Sequence, residues 1–139
     1  MFPEAYFEVR FRVAAPFPAW PDRFAIITAH ATTGAVWTAE RNATADRSLA
    51  AQLPQAAWRC RVTGYSPRSG HAEPGWATAL DTAQATALGR RFLQHAIYVV
   101  EGDALRVVGC DDGAEAAVGS FRARLDPDGP GTAGRPVAC

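Results

Sequence analysis

The 139-residue chain lacks any excess of charge: fourteen basic residues balance fourteen acidic ones. A general nucleic-acid or acidic-membrane surface needs a basic surplus, so neither partner is expected. Arg59, Arg61 and Arg68 lie close in sequence, but the alternation around them puts Arg59 and Arg61 on the wet face of a strand. Cysteine is sparse: Cys60, Cys110 and Cys139 are widely spaced and odd in number, matching neither zinc-ligand spacing nor a disulfide framework. No apolar run approaches the roughly 20 residues of a membrane span. The opening Met1-Phe2-Pro3-Glu4 has neither the basic nor the apolar region of a signal peptide. Together these absences give the expectation of a cytoplasmic protein. Also missing are a Gly-rich phosphate loop, a nucleophile elbow and a His-Glu-x-x-His helix, so no motif calls for a cofactor or a metal.

What is present reads as one soluble globular domain, with 48% hydrophobic and 20% charged residues. Residues 1–125 are expected to form that domain. Residues 126–139, rich in Pro and Gly, are expected to be a disordered tail. The chain is organised around Phe24-Ala25-Ile26-Ile27-Thr28-Ala29-His30, an apolar, β-branched run with two apolar faces. Such a run reads as an interior strand that delivers Thr28 and His30 to one edge of a sheet. Before it, Tyr6 to Val13 alternates as a half-buried strand. After it, a helix is expected to begin between Thr38 and Asn42, bury Ala45, Leu49 and Leu53, and stop at Pro54. A strand follows over residues 57–65, then a loop over 64–75 and a short return strand over 76–80. Asp81 with Gln84 reads as the capping box of a second helix running to about His95, its inner face Ala85, Leu88 and Phe92. Residues 96–100 and 105–110 read as a hairpin, and Ala114 to Val118 as ambiguous, with a helical turn one option.

From the central run onward, strand, helix, strand, strand, helix, strand matches the split βαβ pattern. The expected fold is therefore α+β: a two-layer sandwich with a ferredoxin-like core, helices on one face of a mainly antiparallel sheet, an extra N-terminal strand and a C-terminal hairpin. That topology brings His30, Thr32, Asn42, His71, Glu73, Gln94 and His95 to one sheet edge, including every histidine of the chain. Convergent polar groups beside a helix N-terminus suggest a ligand site.

Four stretches carry a resemblance. They are Phe24 to His30; Asn42 with Leu49 and Leu53; His71-Ala72-Glu73-Pro74-Gly75; and Leu88-Gly89-Arg90-Arg91-Phe92-Leu93-Gln94-His95-Ala96-Ile97. In this order, over roughly residues 6 to 110, they resemble the small bacterial domain-of-unknown-function family catalogued under the number 3293. The chain departs from that pattern at Ala31-Thr32, where the family usually shows Asn-Pro. The resemblance implies no known activity and carries over no catalytic residue.

The candidate side chains support two readings. In the first, the domain is a non-catalytic ligand-binding or protein-interaction module, with His30, Thr32, Asn42, His71, Glu73 and Gln94 recognising a small polar ligand. A protein partner or a homo-oligomer also remains open. In the second, it is a small metal-dependent or acid/base hydrolase-like enzyme using His30, His71 and Glu73, whose types suit proton transfer or a zinc or iron ligand set. Cys60, on the apolar face of a strand, reads as core rather than nucleophile.

Overall fold

The computed structural model describes residues 2–14, 17–31, 36–55 and 57–127. A one-turn helix α1 (Ala5–Glu8) leads into β1 (Arg10–Val13), and β2 (Arg23–Thr28) forms the expected central strand. Helix α2 (Ala39–Gln52) follows, then β3 (Arg59–Tyr65), β4 (Ala72–Thr78) and helix α3 (Thr82–Arg91). The chain continues as β5 (Ala96–Glu101), β6 (Ala104–Gly109), β7 (Glu115–Ser120), a 3-10 turn at Arg122–Arg124 and β8 (Leu125–Pro127).

Local chemistry sets the helix ends. The Thr38 hydroxyl accepts from the Arg41 amide at 3.1 Å and opens α2. Asp81 and Gln84 form the expected capping box on α3. Four element assignments differ from the sequence reading. Helix α3 ends at Arg91 rather than running to about His95. Residues 5–8 are helical, not the start of a strand. Strand β4 begins at Ala72 rather than Trp76, absorbing part of the expected loop. Residues 115–120 are a strand where a helical turn was an option. Asp126 and Pro127, placed at the head of the expected tail, pair with Arg12 and Val13 of β1. The rest of that tail lies outside the described residues.

All eight strands form one mixed sheet in the order β7-β6-β5-β2-β4-β3-β1-β8, with β1 and β8 parallel. The sheet curls into a half-barrel. The expected two-layer, ferredoxin-like sandwich is therefore incorrect: the sheet is a mixed, curled one, antiparallel at every pairing except that of β1 with β8. The reason lies on the sheet face away from the main helices. It is as apolar as the covered one, and the sheet buries it by bending round it.

One core thus lies between the convex face and the helices, where Ala25, Ile27 and Ala29 meet Leu49, Leu53, Ala85 and Leu88. The other fills the curl, where Phe24 and Ile26 meet Val9, Phe11, Val62, Leu105 and Phe121. Phe121 spans this second core, its ring centroid 5.2 Å from Phe24 and 5.6 Å from Phe11. Arg124 ties the two sides of the curl, donating to the carbonyls of Phe7, Val9 and Val118, each at 3.0 Å.

Two buried or paired groups give predictions. The Thr78 hydroxyl is fully buried without a hydrogen-bond partner. Thr78→Val keeps the shape, removes the orphaned hydroxyl and is expected to raise stability by about 1 kcal/mol, read as a higher melting temperature. The Asp126 carboxylate is paired with Arg10 at 2.7 Å and with the Tyr65 hydroxyl. The Arg10 and Tyr65 hydrogen bonds hold it down to about 2, against 3.8 for a free aspartate. The pairing therefore stabilises fully above about pH 3.8 and is lost as pH falls through about 2. Urea melts of Asp126→Asn against the parent are expected to differ by a gap that shrinks across that interval.

Candidate functional site

The curl is open at the end where β2 stops. A cavity of about 610 Å³ lies there. Its aromatic wall comes from Tyr6 of α1, Phe11 of β1, Trp37 ahead of α2, Tyr65 of β3 and Tyr98 of β5. Its polar wall holds Thr28, His30, Asn42, His71, Glu73 and Gln94, with His95 beside them.

The polar wall is a connected chain of hydrogen bonds. His71 Nε2 lies 2.9 Å from Glu73 Oε2, where the ring N–H donates to the carboxylate. Gln94 donates its amide nitrogen to the carbonyls of His30 at 2.8 Å and Phe92 at 3.1 Å. Two carbonyl partners fix which way that amide points, so Gln94 Oε1 faces Thr28. The Thr28 hydroxyl then has two acceptors, Gln94 Oε1 at 3.1 Å and Glu73 Oε1 at 3.3 Å, and a single proton. One acceptor is always left over. Asn42 Oδ1 accepts from the Ala31 amide at 2.9 Å and anchors the chain just after β2 to the start of α2. The rings of His30 and His71 meet edge to face with centroids 5.5 Å apart.

Two glycines and one strained residue set this geometry. A Cβ on Gly75 would sit 2.5 Å from the Ile27 carbonyl oxygen, so only glycine lets β4 come close enough to carry Glu73 to Thr28. A Cβ on Gly89 would meet Cys110 Sγ at 2.7 Å and Ile97 Cγ2 at 2.8 Å, so glycine seats α3 on the sheet. Helix α3 ends with the Gln94 amide on the Gly89 carbonyl at 2.9 Å and the Leu93 amide on that of Arg90 at 3.1 Å. This is a Schellman ending, which places Leu93 in the left-handed region at φ 62°.

Burial, followed by the Glu73 carboxylate, pushes the Tyr6 phenol up. Burial, followed by Tyr6, raises Tyr98 as well. Both phenols are therefore protonated at neutral pH, and the Tyr98 hydroxyl donates to the Tyr6 carbonyl at 2.8 Å. Cys110 is a free buried thiol pushed up to about 11 by burial, which makes it a poor nucleophile. Among the described residues no three His, Cys, Asp or Glu side chains gather closely enough to hold a metal ion.

Of the residues singled out from sequence, His30, Asn42, His71, Glu73, Gln94 and His95 line this one cavity. Thr32 lies outside the described residues. The sequence reading missed the aromatic wall, which depends on α1 and on the curl. The odd place of a large apolar residue, Leu93, which is 62% exposed, was the one local signal of a strained exit. Leu93→Gly suits the left-handed turn and loses little packing. It is expected to raise stability by up to about 1 kcal/mol in thermal melts while leaving Gln94 in place.

Residues 27–97 match the model of a family described as a protein of unknown function, DUF3293. The matched span runs from within β2 to the start of β5 and contains the whole polar wall, but not Tyr6, Phe11 or Tyr98. No curated protein and no solved structure matches the chain. With half of its length under that model, the chain belongs to the DUF3293 family.

Proposed function

We propose that the domain binds a small organic molecule in the cavity at the mouth of the curl. The observation that carries this reading is the division of the cavity into a ring-lined wall and a wall of hydrogen-bonded polar groups. Binding sites for small molecules share this make-up, in this size range. The polar groups are held by backbone and by one another, so a ligand would meet them already oriented.

An acid/base enzyme is the second reading, favoured by the His71–Glu73 contact at 2.9 Å with His30 alongside. Its metal-dependent form has no support, because these three groups do not form a metal-holding cluster.

One experiment tests both. Gly64 lines the cavity, and a Cβ there makes only ordinary contacts with Val9 and Phe11, at 3.6 to 3.8 Å, so Gly64→Leu would fill the space without breaking the strand. A fragment library is titrated into isotope-labelled protein and followed by amide chemical shifts. Binders are expected to move the amides of His30, Ala31 and Gln94, to lose that effect in Gly64→Leu, and to be recovered unchanged. A fragment consumed over hours would favour the enzyme. A library that moves none of these amides would overturn the binding reading.

A further inference from the structure

Building on the binding reading above, and resting on it, we propose that the cavity selects an amine. Its ammonium group would sit on Glu73 and its carbon skeleton against the aromatic wall.

Charge is the first support. Histidines aside, Glu73 is the one formally charged side chain among the described residues that line the cavity. The chain has fourteen basic residues, all of them arginines, and none of those among the described residues reaches this lining. Arg61, on the neighbouring cavity that shares His30 and Asn42, is taken up by Asp46 through two contacts at 2.6 Å. A carboxylate or phosphate ligand would face Glu73 with no arginine among the described lining residues to offset it, whereas an ammonium would find its counter-charge in place.

Hydrogen bonding is the second. His71 occupies Glu73 Oε2, and Oε1 competes with Gln94 for the single Thr28 proton. The network is one donor short, and an ammonium carries three donors and no acceptor. An N–H delivered to Glu73 Oε1 would free Thr28 to serve Gln94. A ligand offering only acceptors would leave the shortage as it is.

The walls are the third. Tyr6 and Tyr98 flank the cavity close enough to feel the Glu73 charge. Ring faces attract cations and pack hydrocarbon, so one wall suits both parts of an arylalkyl or alkyl amine.

The test uses three probes with similar skeletons and different heads: 2-phenylethylamine, 2-phenylethanol and 3-phenylpropionate. Each is titrated into the full chain, with amide shifts read at His30, Ala31 and Gln94. The amine is expected to bind about tenfold or more tighter than the alcohol, and the acid weakest of all. In Glu73→Gln the amine's advantage over the alcohol is expected to vanish. A wild-type ranking with the acid or alcohol at or above the amine would overturn the ligand class even if Glu73→Gln failed to fold. So would an amine advantage that survives in a folded Glu73→Gln. Either result would leave the cavity a binding site. Absence of any shift from all three probes would remove the amine assignment, while the binding reading beneath it stands or falls by the fragment library.

Discussion

The architecture depends on one guanidinium. Arg124 holds carbonyls of Phe7 and Val9 at one side of the curl and of Val118 at the other. That link works together with the pairing of β8 on β1 and with Phe121, which packs against Phe11 and Phe24 inside the curl. Arginine fits this position because its planar head carries five donors, enough to serve three carbonyls at once. The same closure sets α1 over the end of the curl, where the Tyr6 carbonyl receives the Tyr98 hydroxyl. The cavity is the space that remains between this lid and the end of β2.

Much of the site was legible in the sequence, because its polar wall is set by short-range features. A central strand ending in Thr-Ala-His, a helix beginning between Thr38 and Asn42 and a capping box at Asp81 fix where Thr28, His30, Asn42 and Gln94 fall along their elements. The curl was not legible. It rests on contacts between residues 115 and 117 positions apart, which no local pattern announces. The expectation of a two-layer sandwich followed the order of elements; it used the two apolar faces of β2 to place the strand inside the sheet but supplied no cover for the face that carries Phe24 and Ile26.

The remaining misreadings have separate physical causes. Helix α1 has no side-chain cap and is closed by main-chain bonds from Tyr6 to Pro3 and from Phe7 to Glu4, so nothing in the residue types signals it. The loop expected over residues 64–75 was inferred from its Gly, Ser and Pro content, which includes Pro74 and Gly75, both usual strand breakers. Pro74 lies where β2 has already ended, and Gly75 is required by the close approach of β2, so each fits the strand. The alanines before Val118 favour a helix by propensity, but pairing with β6 decides the matter, as tertiary context commonly does.

The ladder between β6 and β7 skips one residue: Leu105 faces Gly119 and Arg106 faces Ala117, leaving Val118 unmatched. Gly119, at φ 134°, makes the kink. The skipped residue is the one whose carbonyl Arg124 takes. The kink also denies the outermost strand the flat, regular profile on which a neighbouring molecule could lay a strand of its own. A protein whose sheet never closes into a full ring keeps this rim ill-suited to fibre growth.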